Sequence, residues 1–401
     1  GTCARRCAAS ALPAAFVTAT VAGCASGKAG SRSAGSGTNN NVGDSGCGGT
    51  FPGWCSGAWS KSYDGALSAW GFDRFVAGCP DDENGFYTPG SRRIRGKYAW
   101  YCASRSRYLE LPKRRQPLAV TGYYLAPQAA SLVGRAQWGR GAFSRHVSFD
   151  RAFYPLAQGE CYVDFADPRV GGGVFANGLA QEEKLFLQLP ELLVVVGERK
   201  YNSRPLYLSS GHDGNHKNSD VIVFQDAVRP VAALTKAEDL ECGRAPKSAW
   251  PCEAQARQAS LARAAVTVVA VNAQEFRQDG FYSSTEFEFL ERKVLGAFAA
   301  AERAGCRRLN SGPLGAGVFS GNMDLTVLLH AAMSIAYGMP VKLWGMDGAS
   351  QDVRTVVGWI EQGGPQPLGV VLQKLRLGAS WGHGSGMKGL VRLDRGRWDA
   401  A

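Results

Sequence analysis

Two neighbouring acids, Glu182 and Glu183, end a QEE triplet that seven residues separate from a run of three glycines, Gly171, Gly172 and Gly173, in the order GGG-VFANGLA-QEE. Glycosidases work with a pair of carboxyls across the scissile bond. Adjacent residues on a helix diverge by about 100°, so these two cannot clamp opposite faces of one bond. One acid must then move the proton while the other binds. Glycine admits positive φ and lets a ligand approach the backbone closely. The acids also suit the first turn of a helix, where carboxylates meet the positive end of the dipole. Read without the glycines, they are ordinary dipole partners.

A second glycine-rich stretch, Asn310–Asn322, reads NSGPLGAGVFSGN. Gly312, Gly315, Gly317 and Gly321 allow a backbone that turns its N–H groups inward, and a helix follows. Such a nest at a helix N-terminus holds a diphosphate; its plain alternative is a tight connection. Pro313 removes one N–H from it. Tyr207 lies in Tyr201–Gly214 and reads equally as a stacking residue or as packing. His212 and His216 in HDGNH lack a third ligand, and no CxxC pair occurs, so no metal site is expected.

The string VDFAD, then GGG, then QEE, then Pro190-Glu191-Leu192 resembles the catalytic segment of the poly(ADP-ribose) glycohydrolases, macrodomain enzymes that cut ribose–ribose bonds. The second loop is similar to that family's diphosphate loop, Thr-Gly-Asn-Trp-Gly-Cys-Gly-Ala-Phe-Gly-Gly-Asp. It keeps Gly312, Gly315, Gly317, Phe319 and Gly321, and departs at Pro313-Leu314 and at Ala316. The resemblance spans Tyr162 to Trp344 and is dense only in the two loops. It implies a macrodomain-like three-layer α/β sandwich, with a mixed sheet flanked by helices. Glu183 becomes the general acid and base, and Glu182 the residue that holds ribose hydroxyls. Gln181 contacts base or ribose, Gly172 and Gly173 let the ligand approach, and Tyr207 stacks beside it. Gly312, Gly315, Ala316, Gly317, Val318 and Phe319 carry the diphosphate. Asp167 stands where the family has Asn and adds a carboxylate near the ligand.

The resemblance implies no cofactor and no metal. The partners are poly(ADP-ribose) or ADP-ribosylated proteins, acting on a monomer in the nucleus or cytoplasm. Two other functions stay open: a macrodomain that binds ADP-ribose without cutting it, and a nucleic-acid-binding protein with a degenerate macrodomain.

These loops need elements to position them. From about Arg151 the pattern alternates strand and helix, which argues for a mainly parallel or mixed sheet with helices on both faces. Expected strands are Cys161–Ala166, Leu192–Gly197, Val221–Gln225, Ala265–Asn272 and Val341–Trp344. Expected helices are Gln181–Leu189, Thr285–Ala304, Asp324–Tyr337 and Gln351–Gln362, with an amphipathic piece at Val370–Leu377. The chain divides into a low-complexity or targeting-like segment (1–50), a basic, aromatic-rich region without an assigned fold (51–150), a catalytic domain (151–350) and a C-terminal extension (351–401).

The 401 residues carry a net charge of +11, which suits a polyanionic partner without choosing between nucleic acid and poly(ADP-ribose). Ser91–Pro117 concentrates arginine and lysine among Tyr98, Trp100, Tyr101 and Tyr108. It reads as a nucleic-acid surface, a nuclear-import patch or a solvated face. Residues 1–44 hold no acid before Asp44 and read as a secretory or organellar segment, or as low-complexity chain. No run of 18 or more apolar residues suggests a membrane span. Of the 11 cysteines, Cys161, Cys242, Cys252 and Cys306 follow Cys102, widely spaced; reduced thiols and an intracellular second half are the expectation.

Overall fold

The computed structural model describes residues 55–63, 118–125, 133, 135–174, 180–193, 196, 208, 219–229, 264–273, 275, 279–317, 319–384 and 389–401. Residues 1–44, the basic stretch Ser91–Pro117, Tyr207, His212, His216, Cys242, Cys252 and Val318 lie outside the described residues.

The elements in chain order are β1 (Cys55–Tyr63), β2 (Leu118–Leu125), β3 (Gln137–Trp138), α1 (Ala142–His146), β4 (Val147–Asp150), β5 (Cys161–Ala166) and α2 (Gln181–Gln188). Next come a 3-10 turn (Pro190–Leu192), β6 (Val221–Arg229), β7 (Ala264–Asn272), β8 (Gly280–Phe281), α3 (Ser284–Arg303), β9 (Leu309–Ser311), α4 (Met323–Tyr337) and β10 (Val341–Trp344). The last are α5 (Gln351–Gln362), β11 (Gln366–Pro367), α6 (Leu368–Leu377), β12 (Ala379–His383), β13 (Val391–Leu393) and α7 (Arg395–Ala400).

Eight strands make one sheet, ordered β1-β2-β6-β7-β5-β9-β10-β4. The β1–β2, β2–β6 and β6–β7 pairs are antiparallel, whereas β7, β5, β9, β10 and β4 run parallel to one another. Successive side chains of a strand point to opposite faces. On one face Val163, Val221, Val223, Val269 and Val271 join Val294 and Phe298 of α3 and Leu325 and Leu329 of α4 in the main core. The alternate residues Tyr162, Ile222, Phe224, Val268 and Ala270 are equally buried. On that side α2 packs on β5 and the 3-10 turn on β6. The result is the expected three-layer α/β sandwich with a mixed sheet. The sheet also takes β1, β2 and β4 from before residue 151, and Val353, Val371 and Trp398 from beyond residue 350 complete its core.

Two expectations are corrected. The expected strand Leu192–Gly197 is not found at its described residues: Pro190–Leu192 forms the 3-10 turn and Leu193 keeps right-handed helical dihedrals, φ −61° and ψ −17°. A short apolar run has no period that separates a buried strand from a buried helical turn. Here β5 already has β7 and β9 on its two edges, so the run covers the sheet face, with Leu192, Leu193 and Val196 buried. Cys161 and Cys306, expected as reduced thiols, are joined in a disulfide between the start of β5 and the turn after α3, with Cα atoms 5.9 Å apart.

The chain leaves β5 towards β6 and β7 on one side, and leaves β9 through α4 towards β10 on the other. Neighbouring parallel strands whose connections diverge leave a crevice beyond their carboxyl ends, where open α/β sheets bind ligands.

Candidate active site

A cavity of about 380 Å³ occupies that crevice. Its walls are the segments that follow four parallel strands: Arg151–Tyr154 after β4, Gly312–Phe319 after β9, Trp344 and Gly345 at the end of β10, and Ala180, Gln181 and Lys184 after β5, with Phe165 between them. Of the two stretches singled out in the sequence, Gly312, Pro313, Gly315, Gly317 and Phe319 of the second and Gln181 of the first line this cavity, whereas Gly171, Gly172 and Gly173 do not.

The β9–α4 loop is built to present donors. Its amides at Leu314, Ala316, Ser320 and Gly321 are spent inside the loop, on the carbonyls of Gly312, Pro313, Gly317 and Gly315 at 2.8–3.1 Å. The amides of Gly315, Gly317 and Phe319, all three of which line the cavity, donate to no acceptor among the described residues. Some amides thus tie the turn while those of Gly315, Gly317 and Phe319 stay available. Ala316 is fully buried and lies outside the cavity wall. Gly321 is needed for close approach, because a Cβ there would stand 2.8 Å from the Gly315 carbonyl oxygen. Ser320 holds φ at 61°, in the left-handed region that favours glycine.

The loop is clamped from two sides. The Thr326 hydroxyl of α4 donates to the Leu314 carbonyl at 3.2 Å. From the small β13-β12-β8 sheet, the Gly384 amide donates to the Ser320 carbonyl at 2.6 Å. The Asn322 side-chain amide donates to the Gly382 carbonyl at 2.9 Å, while its Oδ1 caps α4 at Leu325.

Gln181 fastens α2 to β5. Its Oε1 accepts from the Phe165 amide at 2.9 Å and its Nε2 donates to the Val163 carbonyl at 2.8 Å. The two acids diverge, as helical geometry dictates. Glu182 takes the amides of Gly171 at 2.6 Å and Asp167 at 3.1 Å. Glu183 takes those of Ala180 at 2.6 Å and Gly173 at 3.2 Å. Ala180 has no side-chain acceptor, so this return bond from Glu183 is the side-chain cap of α2. Both acids are buried, and neither lines the cavity. Gly172 packs onto Glu182, since a Cβ there would stand 2.6 Å from Glu182 Oε2. Asp167 is half-buried and its carboxylate accepts the Arg169 amide at 2.8 Å, closing a local turn.

Sequence reasoning passed over Asp164 of β5. It is fully buried, and neither carboxyl oxygen has a hydrogen-bond partner among the described residues. Burial, and then the neighbouring Glu183, push its pKa well above the carboxylate range. Burial, and then Asp164, raise Glu182 as well, against the pull of its two amide donors. Of these two, Asp164 holds the proton, because Glu182 has donors to stabilise its charge and Asp164 has none. The signal lay in the alternation of CYVDFA, which turns Asp164 towards the same face as Tyr162 and Ala166.

The aromatic part of the wall, Phe153, Tyr154, Phe165, Phe319 and Trp344, was likewise not singled out as a set, since its members come from four separate segments of the chain. Among the described residues no cluster of three or more His, Cys, Asp or Glu is placed to hold a metal, and no helix is long and apolar enough to cross a membrane.

No family model matches the chain, and no curated protein does. Among solved structures it is similar to the poly(ADP-ribose) glycohydrolase from Thermomonospora curvata, at 15% identity over 66% of this chain and 97% of that one, with a TM-score of 0.36. It is similar to the Deinococcus radiodurans poly(ADP-ribose) glycohydrolase in complex with ADP-ribose (13% identity, 58% and 89% covered, TM-score 0.34). A macrodomain from Trypanosoma brucei is also similar (13% identity, 56% and 72% covered, TM-score 0.30).

Proposed function

We propose that the cavity takes an ADP-ribose unit and that the chain hydrolyses ribose–ribose bonds of poly(ADP-ribose). The observation that carries this reading is the set of amides at Gly315, Gly317 and Phe319 that donate to no acceptor among the described residues, on residues that line a cavity with Phe153, Tyr154, Phe165 and Trp344 in its wall. Unspent backbone donors at a helix N-terminus suit a diphosphate. Phe153, Phe165 and Trp344 suit a base or a ribose face. The motif resemblance supplies the reaction.

In this reading the diphosphate on the β9–α4 loop fixes the ribose beside the start of α2, and positioning contributes much of the rate. Glu183 gives its proton to the leaving ribose oxygen as positive charge develops on the sugar, then takes one back from water. The longer of its two bonds, the one from Gly173, is the bond it exchanges for the substrate oxygen. Ala180 keeps hold of the other oxygen. Glu182 holds Gly171 and Asp167 in place and so shapes the ribose wall. The partner is the polymer or ADP-ribosylated protein.

The test is ADP-ribose release from polymer by wild type and by Glu183→Gln. Wild type releases it; the variant keeps its ADP-ribose affinity and loses about 100-fold or more in rate. Full hydrolysis by the variant overturns the role of Glu183. A second reading, an ADP-ribose binder that does not cut, draws on the two acids facing the glycine loop rather than the cavity; wild type that binds ADP-ribose and releases none selects it.

A further inference from the structure

Lys184 lies one helical turn after Gln181, on the same face of α2, and lines the same cavity. Its ammonium group carries three donors and no acceptor. Among the described residues it has no hydrogen-bond or ion-pair partner; its one recorded contact is the Phe153 ring, 5.7 Å from the nitrogen to the centroid. Arg151, which also lines the cavity, forms an exposed pair with Asp347, and Lys342 pairs with Asp150 at 2.8 Å. Glu183 is the adjacent carboxylate, but its oxygens are occupied by the amides of Gly173 and Ala180. A half-buried charge without a counter-ion is costly unless a ligand supplies one. Burial already lowers the pKa of Lys184, partly opposed by the charge of Glu183.

We propose that Lys184 is the phosphate-contacting cation of this cavity, and that it selects ligands bearing a phosphate over the corresponding nucleoside. The inference rests on the ADP-ribose reading above. Lys184, with no ion-pair partner among the described residues, and Gly315, Gly317 and Phe319, whose amides donate to none of them, line one cavity, and donors gathered in this way suit an anion. Lys184 works by binding and leaves proton transfer to other groups.

Titration calorimetry of wild type, Lys184→Met and Lys184→Arg with ADP-ribose and with adenosine tests this. The expected result is a weakening of about tenfold or more for ADP-ribose in Lys184→Met. Lys184→Arg retains most of the affinity, and adenosine binds all three proteins alike. Equal ADP-ribose affinity in wild type and Lys184→Met overturns the proposal and leaves the ADP-ribose reading standing. Parallel loss of adenosine and ADP-ribose binding in Lys184→Met also overturns it, since the role is then one of shape. A wild type that binds adenosine but not ADP-ribose removes both readings.

Discussion

Three carboxyl groups, Asp164, Glu182 and Glu183, gather behind the first turn of α2, and their differences come from what each is given to bond. Glu182 and Glu183 each accept two backbone amides. Asp164 accepts none. A fully buried acid without donors stays protonated above the usual carboxylate pH. The folded chain therefore holds a proton on Asp164 that the unfolded chain releases near pH 3.9. Because the folded pKa is the higher, the stabilising contribution is complete below the unfolded value. It is lost as pH rises through the folded one, at no more than about 1.4 kcal/mol per pH unit. Asp164→Asn cannot titrate. We expect the variant to gain stability relative to wild type between pH 4 and pH 8, as read from thermal melting across that range. An unchanged wild-type minus variant difference would show that Asp164 is ionised in the fold.

At the scale of elements, α4 and β9 are locked to each other beside the cavity. The Ser311 hydroxyl at the end of β9 lies 2.7 Å from His330 Nε2 on α4, and His330 Nδ1 lies 2.8 Å from the Thr326 carbonyl. The carbonyl can only accept, so Nδ1 carries the hydrogen and Nε2 accepts from Ser311. This bridge requires a neutral ring, and burial pushes the His330 pKa down to about 4. With the folded value below the unfolded value of ~6.5, the contribution is complete above pH 6.5. It drains away as pH falls towards the folded value, by about 3 kcal/mol in all. Melting temperatures at pH 7 and pH 5 should separate wild type from His330→Asn. The variant loses about 1–3 kcal/mol at neutral pH, because Ser311 is left unpaired, and it lacks the acid slope of the wild type. Identical slopes would place the proton uptake elsewhere. The helix bounds themselves were legible in the sequence: Ser283 with Glu286, Asn322 and Ser350 each cap a helix through side-chain bonds. Leu192–Gly197 was misread because Leu, Val and Ile runs fill a sheet face as readily as a strand, and only the sheet order decides.

For the molecule as a whole, β5, β6, β7 and β10 were read from the sequence, and in β6 and β7 near-continuous Val-rich runs announce burial on both faces. β1, β2 and β4 lack that mark, and β9 is three residues long. Their membership depends on pairing partners far away in the chain. The two glycine loops were found by motif resemblance, whereas the aromatic wall and Asp164 required the fold. The same holds for the bridge between Cys161 and Cys306, separated by 145 residues, because nothing in their spacing says that the start of β5 and the α3–β9 turn are neighbours. Such a cross-link closes a long loop in the unfolded chain, and the chain-entropy model assigns it up to about 5 kcal/mol, with about 2–4 typical. It ties together the amino ends of β5 and β9, the strands whose opposite ends carry the cavity. Cys306→Ser should therefore lower the denaturant midpoint by an amount equivalent to about 2–4 kcal/mol. A reductant should lower the wild type to the level of the variant and leave the variant unmoved. If wild type and variant unfold together with and without reductant, the two sulfurs contribute no cross-link, and the sheet's parallel half is held by its packing alone.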